Sequence, residues 1–153
     1  MTTRTQRFAP DTNIFDEIVS DARFVGLVKR LSDTGVVELV VTHIQEDELA
    51  QIPDPEKRRL IGDVPRTVAP TSDFVLGVSR LGMARLGTGQ ILEQIRRPNW
   101  SKYTNDGLIA STAQLEGLIL VTKERRLQNQ ARALGIDVWG WPKFSQHLLT
   151  LAA

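Results

Sequence analysis

The chain has 153 residues, 41% of them hydrophobic and 24% charged, the size and composition of one globular domain, so a single domain spanning 1–153 is expected. It holds no cysteine, which excludes disulfides, zinc–thiolate centres and thiol nucleophiles, and no apolar run approaches the length that crosses a bilayer. Net charge is only +1, but residues 80–132 carry nine Lys/Arg against four Asp/Glu and the remainder ten against fourteen, a pattern that fits either a phosphate-binding face beside an acidic pocket or a solvated helix surface.

Residues 7–11 read as a short strand, with Pro10 tolerable only at its end because it lacks a ladder donor. From 12 to about 32, Ile14, Phe15, Ile18, Val19, Phe24, Val25, Leu27, Val28 and Leu31 recur at helical spacing, and Gly35 closes that helical region. Residues 36–41 (VVELVV) form a nearly continuous apolar run, as in a strand covered on both faces. Thr42 is an N-cap for a helix reaching Gln51, and Pro53, Pro55, Pro65 and Pro70 mark breaks around a short helix near 56–61.

Residues 73–86 and 89–96 read as helices, and Asn105 or Asp106 starts another that ends near Gly117. Residues 118–122 (LILVT) form a buried strand, 123–134 a helix stopped by Gly135, and 136–139 a last strand, before a terminal helix with Pro142 at its first position. Short apolar strands alternating with helices predict a three-layer α/β/α sandwich with a four- to five-stranded, mainly parallel sheet.

In such sheets ligands bind beyond the carboxyl ends of the strands. The polar residues at those ends are Asp11, Thr42 with Glu46, Asp47 and Glu48 behind it, and Thr122 with Glu124 two residues later; Asp106 opens the helix leading into the third strand. Carboxylates gathered at one edge repel each other unless a cation neutralises them. Hard oxygen donors select Mg²⁺ or Mn²⁺, ions that activate water and stabilise charge in phosphodiester cleavage.

The segment Asp11-Thr12-Asn13-Ile14-Phe15 resembles the opening D-T-N motif of PIN domains. Thr42-His43-Ile44-Gln45-Glu46-Asp47-Glu48-Leu49 resembles the segment carrying that family's second acid, Asn105-Asp106-Gly107-Leu108-Ile109-Ala110 the third, and Val121-Thr122-Lys123-Glu124 the T-x-D segment of the fourth. The four occur in the family's order across nearly the whole chain, with 53–100 the least matched part. The resemblance implies a metal-dependent endoribonuclease that hydrolyses single-stranded RNA, with Asp11, Glu48, Asp106 and Glu124 as catalytic acids holding Mg²⁺ or Mn²⁺. Leu49 favours Glu48 as the second acid, with Glu46 and Asp47 as alternatives one register away. Glu124 stands where the family usually has Asp. Asn13 and Thr122 match polar residues that orient ligands, water or phosphate.

Each acid also has a plainer reading. Asp11 and Asp106 suit helix caps, Glu46 to Glu48 a solvated face, and Glu124 a surface ion pair. Their joint placement at one edge favours the site. Arg96, Arg97, Lys102, Trp100 and Tyr103, with Lys123 and Arg125, supply the cations and rings that hold single-stranded RNA, although Trp100 or Tyr103 can equally pack the loop onto the core. His43 and His147 read as structural, and Trp139 and Trp141 as core or interface residues. The family resemblance further implies a toxin-type partner relation with an antitoxin protein and a homodimer. The absence of a bilayer-length apolar run, and an N-terminus without a signal peptide's apolar stretch, make a cytoplasmic protein the simplest expectation. The rival reading is a PIN-like module without activity that binds RNA or protein.

Overall fold

The computed structural model describes residues 4–69 and 100–152, with the backbone alone for 100–106. Its five strands are β1 (Gln6–Pro10), β2 (Val37–Val41), β3 (Thr67–Val68), β4 (Ile119–Val121) and β5 (Val138–Trp139). They form one sheet in the order β3-β2-β1-β4-β5, parallel throughout. The described helices are α1 (Thr12–Val19), α2 (Ala22–Asp33), α3 (His43–Ala50), α4 (Pro55–Gly62), α5 (Trp100–Glu116), α6 (Arg125–Ala133) and α7 (Trp141–Ala152).

Alternation along the strands divides the apolar side chains between two cores. Phe8, Val37, Leu39, Val41 and Val121 face α1, α2 and α7, where Ile14, Phe15, Ile18, Leu27, Val28, Phe144 and Leu148 are buried. Ala9, Val40, Leu120 and Val138 face α5 and α6, against Ile109, Ala110, Ala113, Leu127 and Ala131. The period of two along a strand sends neighbours to opposite faces, and so builds three layers. Phe8 centres the first core, with ring centroids 5.0 Å from Phe144 and 5.3 Å from Trp139. Trp141 packs edge-on to Phe24 at 5.3 Å. Both tryptophans therefore pack into the core. His147 is structural, as expected, bonding Gln6 Oε1 at 2.6 Å and lying edge-on to Trp139.

The helices that feed β2, β4 and β5 end in the same way. Gly35, Gly117 and Gly135 have φ of 74°, 66° and 79°. After Gly35, the Val36 amide donates to the Leu31 carbonyl at 2.9 Å, and after Gly135, the Ile136 amide donates to Ala131 at 3.0 Å. These are Schellman closures, which turn the chain directly into the next strand.

Four readings need correction. The helical region after Asp11 is two helices, interrupted at Ser20 and restarted by the Asp21 side chain accepting from the Arg23 amide. The first strand ends at Pro10, one residue before Asp11, which caps α1. The helix expected to begin at Asn105 or Asp106 is already running at Trp100, the first described residue of that segment, so Asp106 lies inside the helix and not at its N-terminus. Finally, β3 was not foreseen as a strand; it is only two residues long and both are exposed. The helices expected at 73–86 and 89–96, with Arg96 and Arg97, lie outside the described residues.

Glycine gives a test of opposite signs at the two ends of α2. Gly26 sits exposed in the helix interior with open space where a Cβ would go, and Gly35 has equally open space but a positive φ. Gly26→Ala is expected to stabilise by about 0.5–1 kcal/mol. Gly35→Ala is expected to cost about 1–2 kcal/mol, from backbone strain alone. Chemical denaturation of the two variants checks both signs.

Candidate active site

The strand order reverses direction at β1. The chain passes from β1 to β2 and β3 on one side, then crosses to β4 and β5 on the other. The carboxyl ends of β1 and β4 therefore flank the crevice where parallel sheets bind ligands. Asp11 follows β1 directly, and Thr122 and Glu124 follow β4.

Asp11 is 5% exposed, and three bonds hold its amide and carboxylate. Its amide donates to the Val121 carbonyl at 2.8 Å, extending the β1–β4 pairing past the end of the strand. Carboxylate Oδ1 accepts the Thr12 amide at 2.7 Å, and Oδ2 accepts the Thr122 hydroxyl at 2.8 Å. Burial nevertheless pushes the carboxyl above the ordinary Asp range, the two side-chain bonds opposing that rise and the nearby Glu124 charge adding to it.

Thr122 links the second carboxylate to the first. Its fully buried hydroxyl donates to Asp11 and accepts the Glu124 amide at 3.1 Å, and its carbonyl accepts Gln128 Nε2 at 2.6 Å. Glu124 occupies the N-cap position of α6 yet makes no side-chain capping bond. Its half-buried carboxylate stands close enough to Asp11 for the two charges to interact. Beside Asp11, the buried Thr12 Oγ1 and Asn13 Oδ1 have no hydrogen-bond partner among the described residues.

Helix α3 separates the three candidates for the second acid. Glu46 forms an ion pair with Arg66, whose guanidinium also donates to the Ile61 and Val64 carbonyls at 2.7 and 3.0 Å. Asp47 and Glu48 are exposed. At about 100° per residue, Glu46 and Glu48 fall on opposite flanks of Gln45. Asp106 lies on α5, which runs from the carboxyl edge of the sheet back to β4; its side chain is outside the described part. Among the described residues no three acidic or imidazole groups gather closely enough to hold a metal ion.

Of the expected RNA contacts, Lys123 is engaged in an ion pair with Glu17, and Arg125 is exposed at the start of α6. Trp100, Lys102 and Tyr103 lie on α5, with side chains outside the described part.

The residue sequence reading missed is Gln45. It is 1% exposed, and its Nε2 donates to the Pro10 carbonyl at 2.7 Å. A signal was present: Thr42-His43-Ile44-Gln45 is a capping box, with the Gln45 amide donating to Thr42 Oγ1 at 3.2 Å and the Thr42 amide to Gln45 Oε1 at 2.9 Å.

No family profile matches the chain, and no curated protein does. Solved structures do resemble it. VapBC2 from Rickettsia felis, bound to a DNA fragment from their promoter, matches with a TM-score of 0.55 at 15% identity over 89% of this chain and 99% of that one. FitAcB from Neisseria gonorrhoeae matches with a TM-score of 0.45 at 16% identity over 86% and 96%. Such identity speaks of fold alone: a three-layer, PIN-like α/β/α sandwich.

The Asp11 carboxyl gives a pH prediction. A carboxyl raised by folding holds its proton more tightly folded than unfolded, so the stability linked to it is complete below the ordinary Asp range and is lost as pH climbs through the raised value. Asp11→Asn cannot ionise. Between about pH 4 and about pH 7 the variant should therefore gain stability relative to the wild type, measured by thermal denaturation without divalent cations. A difference that stays constant with pH would contradict a cost of burying this charge.

Proposed function

We propose that the chain is a metal-dependent endoribonuclease acting on single-stranded RNA, with Mg²⁺ or Mn²⁺ held by Asp11 and Glu124 together with Asp106 and Glu48. The observation carrying this reading is the buried Asp11 carboxyl at the sheet's switch point, with the Glu124 carboxylate across the crevice. The surroundings fit a hard cation. Two carboxylates converge, and Thr12 Oγ1 and Asn13 Oδ1 beside them are buried without a partner among the described residues. Oxygen donors of this type suit Mg²⁺ or Mn²⁺.

When bound, such an ion supplies an activated water and neutralises charge that develops on the phosphodiester. The chain's own residues do the rest. Thr122 donates to Asp11 Oδ2, which fixes the orientation of the carboxylate. Asp11 would hold the cation in its ionised form, which a bound cation favours against the burial that raises its carboxyl above the ordinary Asp range. Asn13 lies one residue into α1 from the Thr12 cap bond, where its amide can orient water or phosphate. Arg125, exposed at the start of α6, would contact a phosphate, and Lys123 would do so on leaving Glu17. The strand of RNA would extend along α5, which carries Trp100, Lys102 and Tyr103; Arg96 and Arg97, outside the described residues, are further proposed contacts.

The same reading gives the chain an antitoxin partner and a homodimeric state. VapBC2, which shares the fold, is an assembly of the toxin–antitoxin kind, and this chain covers nearly all of the matching one.

Cleavage of a labelled single-stranded RNA tests the proposal, run with Mg²⁺, with Mn²⁺ and with EDTA. Wild-type protein should cut only with metal. Asp11→Asn and Asp106→Asn should each lower the rate by roughly 100-fold or more, since a catalytic metal provides several kcal/mol and each 1.36 kcal/mol is tenfold. RNA left intact with every metal, at high protein concentration and with no antitoxin co-purifying, would instead identify a PIN-like binding module.

A further inference from the structure

We propose that Gln45 is a positioning residue that sets the orientation of Asp11 relative to α3; the inference rests on the metal-dependent reading above. The peptide unit joining Pro10 to Asp11 is gripped at both ends. Its N–H donates to the Val121 carbonyl of β4 at 2.8 Å. Its C=O accepts Gln45 Nε2 of α3 at 2.7 Å. These two bonds reach it from opposite sides of the switch point, and together they fix the plane from which the Asp11 side chain departs.

The choice of side chain supports this role. A capping box needs an acceptor at its fourth position, and Glu serves there as readily as Gln. At position 45 the acceptor Oε1 closes the box on the Thr42 amide at 2.9 Å. The second half of the amide has a separate task, because the Pro10 carbonyl requires a donor. A carboxylate would set its own oxygen against that carbonyl. Glutamine fills both roles, and it does so at 1% exposure, where a broken bond has no water to replace it.

The consequence is mechanical coupling between two acid-bearing elements. Glu46, Asp47 and Glu48 follow Gln45 directly on α3, and Asp11 follows Pro10 directly after β1. The Gln45–Pro10 bond thus sets the separation of the first acid from the second, whichever α3 residue that is. A site for a divalent cation depends on that separation, and loss of an outer partner that orients a ligand typically weakens binding by about 10- to 100-fold.

The test compares Gln45→Leu, Gln45→Glu and a control, Leu49→Val, in the full chain. Leu49 is buried one turn along the same helix face, and its aliphatic side chain has no donor for the Pro10 carbonyl. Gln45→Glu keeps the capping acceptor, removes the donor to Pro10 and sets a carboxylate oxygen against that carbonyl. Three quantities are read: Mn²⁺ affinity by calorimetry, kcat and KM for RNA, and amide hydrogen exchange at Asp11 and Thr12. Both Gln45 variants should weaken Mn²⁺ binding by about 10- to 100-fold and lower kcat while KM holds. They should also speed exchange at Asp11 and Thr12, with Leu49→Val moving none of these beyond its effect on global stability. Equal effects in all three variants, in proportion to their loss of stability, would overturn the proposal. A wild type that binds no Mn²⁺ sinks the metal reading by itself. Exchange at Asp11 then decides on Gln45, since faster exchange in its two variants alone supports the positioning role and unchanged exchange refutes it.

Discussion

The hydrogen bond from the Asp11 amide to the Val121 carbonyl is the contact on which the arrangement of the site depends. It carries the parallel pairing of β1 and β4 one residue beyond β1, to the point where the chain has already turned into α1. Asp11 and Thr122 are separated by 111 positions, and that register alone brings the carboxylate and the hydroxyl to 2.8 Å. A slip by one residue would send Asp11 to the other face and Thr122 away from it. The register is in turn secured by apolar alternation, because Phe8 and Val121 must reach one core while Ala9 and Leu120 reach the other.

The helices deliver their strands to that register through a repeated device. Gly35, Gly117 and Gly135 each stop a helix with a positive φ and start a strand within three residues. Their regular use places the strand starts on the amino edge of the sheet, leaving the carboxyl edge to residues with other duties. At that edge the caps are made by Asp11 and Thr42, side chains with oxygen acceptors, and Glu124 holds a cap position without using it. Structure and chemistry therefore draw on the same residue types at the same edge. For that reason a carboxylate following a strand is ambiguous when read alone.

That overlap explains how much of the molecule could be read from the chain. Val36 to Val41 and Leu118 to Thr122 announce covered strands because both faces demand apolar side chains, and Gly35 and Gly135 announce helix ends because few other residues adopt their φ. The break at Ser20 was hidden, since apolar spacing runs on across it from Val19 to Phe24. Two residues at β3 are too few to show any period. The start of α5 was placed too late because Asn105 and Asp106 look like caps, and a polar residue inside a helix carries no mark of being there. At the site, Asp11 and Thr122 were legible from position. Glu46 was not separable from its neighbours, because its partner Arg66 lies 20 residues on and only tertiary folding joins them. Gln45 was passed over because a search for acids does not notice an amide.

Asp11 also shows what the fold tolerates for this arrangement. The carboxyl accepts two hydrogen bonds, yet burial still raises it above the ordinary range, so the two bonds do not make up for the water it has lost. A residue serving only as the cap of α1 could keep its capping bond at the surface, as Asp21 and Asp54 do in capping α2 and α4 from exposed sites. Asp11 is instead drawn beneath Thr122 and set beside a second carboxylate, which raises it further. Capping alone does not explain that placement. The cation proposed to lie between the two carboxylates would replace the missing solvation and reverse the effect of their mutual repulsion, and beside Asp11 the buried oxygens of Thr12 and Asn13 have no partner among the described residues.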